Sequence, residues 1–237
     1  MPTTAARPST VPRKPRKAGP ALAMKKQPEQ QRATETFELI LDVTARTLED
    51  VGIDRLSTNL VCERAGLSPP ALYRYFPNKY ALLHELGRRL MQKQNELIPH
   101  WITGEVLAGS REQLQAALEG LLLDTFRVTK ETVAGLWVTR ALRAVPALAR
   151  VRLDSHNEVA QAHAALLATV LPTANEDELR ALSRVSVELI YAAVEMLFDE
   201  LPMDINTVAH MVSSMVASYL DRYREAPKPR ARKSAAR

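Results

Sequence analysis

The chain has 237 residues, 46% of them hydrophobic, which is enough to bury a sizeable core and excludes disorder of the whole. A single cysteine excludes an internal disulfide, and the absence of an apolar signal segment or a spanning apolar run predicts a cytoplasmic protein, neither secreted nor membrane-embedded. The net charge of +5 is unevenly spread: residues 1–32 carry a net +7, residues 222–237 a net +6, and the body between them a net −8.

Residues 1–32 read as a disordered basic arm, because Pro2, Pro8, Pro12, Pro15 and Pro20 preclude the amphipathic helix of a transit peptide. The arm and the basic tail from 225 to 237 either strengthen attraction to a polyanion or merely keep the chain soluble, and their composition leaves both open. From 36 to 51, Phe37, Ile40, Leu41, Thr44, Leu48 and Val51 recur at the three-and-four spacing of one helical face. Gly52 stops that helix, and Ile53 and Leu56 seal the corner beyond it.

Ser57 is placed to cap a second helix that opens at Thr58 and buries Val61, Cys62 and Ala65. Gly66 supplies the left-handed residue that ends it. Ser68 caps a third helix whose first position is Pro69, where a fixed φ and a missing N–H do no harm. This helix runs to about Tyr75, buries Leu72, and leaves Pro70, Ala71, Tyr73, Arg74 and Tyr75 facing outward or sideways. Pro77 breaks it, Asn78 caps the next helix, and Lys79 opens that helix.

The run AGLSPPALYRYFPNK resembles the helix-turn-helix signature of TetR-family transcriptional regulators, a Gly-apolar-Ser turn leading to a recognition helix that ends in Tyr-x-Tyr/His-Phe and then Lys. Leu60, where a charged residue is usual, and Pro70, where Gly, Ala or Ser is frequent, depart from that pattern. The resemblance implies an all-α fold: a three-helix helix-turn-helix DNA-binding domain over 33–80, then an α-helical ligand-binding and dimerisation domain over 81–224. It also implies that Ser68, Pro69, Pro70 and Arg74 lie against base edges, that Thr58, Tyr73, Tyr75 and Lys79 hold phosphates, and that Ser57 belongs to the same DNA-binding surface. Of these, only Arg74 has a fork able to make two hydrogen bonds to guanine. Residues 33–80 carry a net −2, so positive charge toward DNA has to be local, from Arg74, Lys79 and helix N-termini.

Leu82, Leu83, Leu86, Leu90 and Leu97 line one side of the helix from Lys79, which ends before Pro99 and is long enough to carry a tilt near Trp101 to the recognition helix. Further helices are expected over 110–129, 131–143, 146–171, 176–200 and 205–223, with no strand-like alternation. The last two are apolar on more than one side, which calls for a second packing partner. That partner is either the rest of the same chain or, as the resemblance implies, the same pair of helices from a second subunit, with Val194 and Met215 on the seam.

Phe126, Trp137, Arg140, His163, Tyr191 and Glu195 are the candidate lining of an effector pocket, although aromatic residues at helical spacing serve equally as core. Glu188 and Glu195 face either a cationic ligand or arginines such as Arg140 and Arg184. Cys62, on a buried face without an activating cation, reads as an apolar filler rather than a redox sensor. The five histidines lack zinc spacing, so neither metal nor cofactor is expected, and with no G-x-S-x-G, H-E-x-x-H or phosphate-cradling glycine loop, no enzyme is expected. The expected function is a homodimeric DNA-binding transcriptional regulator on a pseudo-palindromic double-stranded operator, a repressor released by a small-molecule effector. The alternative is an adaptor that keeps the helix-turn-helix without an effector, against which Arg74 and the basic arm argue.

Overall fold

The computed structural model describes residues 19–25, 31–199 and 203–225, and within them every regular element is a helix. The first, α1 (Gln31–Arg55), begins earlier than its apolar face and is interrupted at Gly52, whose φ of 72° and ψ of 178° lie in a region essentially reserved for glycine. In α2 (Thr58–Ala65), the Ser57 side chain accepts the N–H of Leu60, and Gly66 closes the helix at φ 64° and ψ 29°. The recognition helix α3 (Pro69–Tyr73) is shorter than expected. Beyond it Tyr75 and Phe76 turn inward onto Phe37, with ring centroids 5.8 Å and 5.1 Å away, and Pro77 follows.

Asn78 caps α4 (Lys79–Asn95) by accepting from the N–H groups of Tyr80 and Ala81. Two short helices that the apolar spacing did not reveal follow, α5 (Ile98–Trp101) and α6 (Gly104–Ala108). Next comes α7 (Arg111–Glu131), opened by a reciprocal capping box between Ser110 and Gln113. Then α8 (Gly135–Ala144) starts later than expected, because Ala134 takes a left-handed conformation. The chain continues through α9 (Ala149–Val170), α10 (Glu176–Met196) and α11 (Ile205–Glu225), with α7 packed on α11 and α9 on α10. None of the helices in the described residues is long and apolar enough to cross a membrane.

Two apolar cores result. One runs from Phe37, Leu48 and Leu72 through Leu83 and Leu90 to Val138, Ala160 and Tyr191, so the helix-turn-helix shares its core with α8, α9 and α10. The other gathers α5, α6, α7, α9, α10 and α11 around Leu107, Leu122, Leu167 and Ala217. α4 is fixed to α1 by charge as well: Glu85, only 2% exposed, accepts from Arg88 and Arg89, and Arg89 continues to Glu38 on α1 at 2.6 and 2.7 Å. Burial opposes ionisation of Glu85, but the hydrogen bonds from both arginines prevail and hold its carboxyl below the usual range.

The expected disorder through residue 32 is wrong for residues 19–25 and for the start of α1. The Lys25 N–H donates to the Tyr75 carbonyl and Asn78 Nδ2 to that of Ala21, both at 2.9 Å, while Leu22 and Met24 pack on the first core. This strand of chain is held because Leu22 and Met24 offer apolar surface that the proline-rich composition around them obscures. The rest of the arm, 1–18 and 26–30, and the tail from 226 lie outside the described residues.

Gly52 and Gly66 make different demands, and their replacement distinguishes them. A Cβ at Gly52 would meet the Trp137 ring at 3.3 Å, whereas one at Gly66 would meet nothing within 4 Å. Gly66→Ala should destabilise by about 1 kcal/mol from backbone strain alone, and Gly52→Ala by about 2–3 kcal/mol, as measured by urea unfolding.

Candidate functional site

The surface carried by α2 and α3 is built from short-range chemistry. Thr58 Oγ1 and Tyr73 Oη are 2.9 Å apart, a hydrogen bond that joins the first turn of α2 to the last residue of α3. Ser68 occupies the capping position of α3 but its side chain makes no capping bond. The reason is local: Pro69 and Pro70 have no N–H to offer, and the N–H of Ala71 is taken by the Ser68 carbonyl at 2.9 Å. The hydroxyl, both proline rings, Tyr73 and Arg74 are therefore exposed together. Arg74 has its guanidinium 5.8 Å from the Tyr75 ring centroid, and no carboxylate among the described residues pairs with it.

Two of the residues expected on this surface are elsewhere. Tyr75 is 3% exposed and stacks edge-on against Phe37, so its ring belongs to the core and its carbonyl is taken by Lys25. Lys79 is half-buried, with Nζ donating to the carbonyls of Ile53 at 3.3 Å and Leu56 at 3.2 Å. A helix leaves its last carbonyls without partners, and the Lys79 ammonium supplies one to each of these two just past the kink in α1. Its role is to join α4 to the end of α1. Ser57 is likewise committed, to the cap of α2.

The expected effector pocket divides in the same way. A small apolar cavity of about 40 Å³ lies between α4, α5, α7, α9 and α10, and His163 and Tyr191 line it together with Gln94 and Thr125. The other four candidates do not. Phe126 stacks on Phe198 at 4.5 Å, and Trp137 covers Gly52 with Arg140 lying 5.6 Å from its ring. Glu195 is paired with Arg143, and Arg140 reaches Asp199 at 3.9 Å. Burial pushes the Glu195 carboxyl up in spite of the Arg143 hydrogen bond. Glu188 gathers Arg152, Arg184 and His156, an ion cluster on the side of α10 facing α9.

Gln94 was missed, although it carried a signal. Leu83, Leu90 and Gln94 share the buried side of α4, and Gln94 is the polar residue that interrupts it. It is 2% exposed, its Nε2 donates to Thr129 Oγ1 at 2.7 Å, and its Oε1 has no partner. Beyond His163 lies an outer recess of about 360 Å³ lined by Asn95, Pro99, Glu158 and Leu166. Burial pushes the His163 imidazole down to about 4, so it is neutral at neutral pH.

A third feature is a groove of about 850 Å³ along α10 and α11, lined by Val185, Leu189, Met215, Tyr219 and Tyr223. Val185, Met215 and Tyr219 are 48–59% exposed there, and Met211, also on α11, is 51% exposed, so large apolar side chains lie open to solvent. Val194, expected on this seam, is 2% exposed and lies in the second core, because it faces the interior side of α10.

Residues 40–86 match the family model for bacterial regulatory proteins of the tetR family. The chain is 39% identical over 54 residues to the class C tetracycline repressor protein of Escherichia coli, covering 23% of this chain and 25% of that one. It is 42% identical over 48 residues to the class A repressor from transposon 1721, also of Escherichia coli, covering 20% and 22% of the two chains. The matched stretch thus spans about a quarter of each repressor's length. The fold extends further: a tetR-family transcriptional regulator from Streptomyces coelicolor superposes with a TM-score of 0.59 at 18% identity, over 80% of this chain and 85% of that one. A TetR-like regulator from Rhodococcus sp. RHA1 gives 0.55 at 21% identity, over 78% and 96%.

The positions of Lys79 and Arg74 separate fold from surface. Lys79→Met strands two carbonyls and should lower stability by about 1–2 kcal/mol in chemical denaturation, whereas Arg74→Ala should change it by no more than about 0.5 kcal/mol.

Proposed function

We propose, for a chain whose N-terminal helix-turn-helix belongs to the tetR family of bacterial regulatory proteins, that it acts as a homodimeric transcriptional repressor released from its operator by a small molecule. The observation that carries the DNA-binding part is the cluster of Ser68, Pro69, Pro70, Tyr73 and Arg74 on one exposed face, with a guanidinium that no acid among the described residues neutralises. Arg74 would read guanine through two hydrogen bonds, and the prolines would offer only apolar contact such as to a thymine methyl. Thr58 and Tyr73, already joined to one another, supply hydroxyls toward phosphates, beside the N-terminus of α2.

The groove on α10 and α11 supports two-fold symmetry in this reading. An apolar run of this exposure is costly in a monomer, and a second copy offers the same surface in return. Pairing through these helices would set two copies of α3 apart by a fixed distance, which is what a pseudo-palindromic operator requires. Residues 19–25 dock beside the same helix-turn-helix, through the Lys25 N–H on the Tyr75 carbonyl and Asn78 Nδ2 on that of Ala21.

Arg74→Ala should weaken binding to the preferred operator by about 1–3 kcal/mol while leaving affinity for random duplex nearly unchanged. Equal losses on both would make it a phosphate contact instead. Met215→Asp should give a monomer with unchanged helical circular dichroism and much weaker operator binding, and a variant that still dimerises in light scattering would remove α10 and α11 from the interface.

A further inference from the structure

We infer that the chamber between α4, α5, α7, α9 and α10 takes an uncharged, mainly apolar molecule carrying a hydroxyl, and that this hydroxyl donates its hydrogen to Gln94 Oε1. The inference rests on the regulator reading only for its consequence at DNA, since binding itself follows from the chamber.

The first constraint is charge. Ile98, Leu118, Leu121, Val187 and Ile190 supply most of the wall, and no Lys, Arg, Asp or Glu lines it. The imidazole of His163 is neutral at neutral pH, its pKa pushed down to about 4 by burial. An ionised group in this inner cavity would find no countercharge and would lose its hydration without compensation, the one acid along the route, Glu158, lying on the outer recess.

The second constraint is the direction of the hydrogen bonds. The Thr129 hydroxyl spends its hydrogen on the Thr125 carbonyl at 2.7 Å, so toward Gln94 it can only accept. That fixes the Gln94 amide with Nε2 on Thr129 and Oε1 left over. The Thr125 hydroxyl donates to the Leu121 carbonyl, and the Tyr191 hydroxyl to Asn95 Oδ1 at 3.2 Å, so neither has a hydrogen free for Gln94. Ser186 and His163 can donate or accept, but Gln94 Oε1 is an acceptor only, and it alone decides what the ligand must bring.

The third constraint is the route. The outer recess shares Ile98, Ile102, Val159 and His163 with the inner cavity, so a chain-like ligand can lie across both with its hydroxyl inward. Gln94 is on α4, the helix whose first residue holds the end of α1, so occupancy acts on the element that supports α3.

The test compares three probes on the full-length protein by calorimetry: 1-hexanol, its isomer methyl pentyl ether, which has the same atoms but no donor, and hexanoate. The alcohol should bind at least about tenfold more tightly than the ether or the acid, the worth of one hydrogen bond to a buried acceptor. Gln94→Leu should erase the preference for alcohol over ether. If that variant fails to fold, Thr129→Val, which frees the amide to turn, should reduce the same preference. Equal binding of the two isomers, tighter binding of hexanoate, or no saturable binding by any probe overturns the inference. Gel shifts without ligand separate this from the regulator reading: a protein that binds operator but does not discriminate the isomers loses only the ligand inference, and one that discriminates them but binds no operator loses only the regulator reading.

Discussion

α4 is held at both ends, and the placement of the recognition helix depends on that. At its start, the Lys79 ammonium lies on two carbonyls at the end of α1 and the Asn78 side chain caps the first turn. In its middle, the buried Glu85 is kept ionised by Arg88 and Arg89, and Arg89 reaches Glu38 on α1. At its end, Gln94 is tied to Thr129 on α7. A helix of 17 residues is about 25 Å long, so it spans the distance from the exposed α3 surface to the interior cavity as one rigid piece. Of the groups in these ties Glu85 and Gln94 are buried, and loss of all their partners would leave a buried polar group unpaired.

The contacts between α1 and α8 add a second tie. Trp137 lies against Gly52, where α1 departs from helical geometry, and the same apolar core that holds Leu72 of α3 continues to Val138 and Leu142 of α8. A ligand that altered packing around α4 would therefore act on a helix that shares a core with α3 and α8, without a dedicated path between them. In a homodimer formed through α10 and α11, the same displacement would occur twice and change the separation of the two α3 surfaces.

Much of this was legible in the sequence, because it is local. Ser57, Gly66 and Asn78 cap or end helices where their chemistry requires, and apolar spacing gives the long helices to within a few residues. What was not legible depends on distant partners. Whether Tyr75 points out or in is decided by Phe37, and whether Lys79 meets solvent is decided by Ile53 and Leu56. Residues 19–25 look like the rest of a proline-rich arm until Tyr75 and Asn78 supply partners for their backbone. Of the residues expected to line the pocket, His163 and Tyr191 do so, Phe126, Trp137, Arg140 and Glu195 serve packing and ion pairs, and the further informative residue is a single amide within the leucine face of α4.

The central claim, a symmetric dimer that reads DNA through α3, is tested most directly by selecting duplexes from a random pool with the full-length protein. The account predicts enrichment of an inverted repeat whose half-sites are centred about one helical turn apart, or a multiple of it. Enrichment of a single unpaired half-site, or retention that depends on salt alone with no preferred sequence, would contradict it.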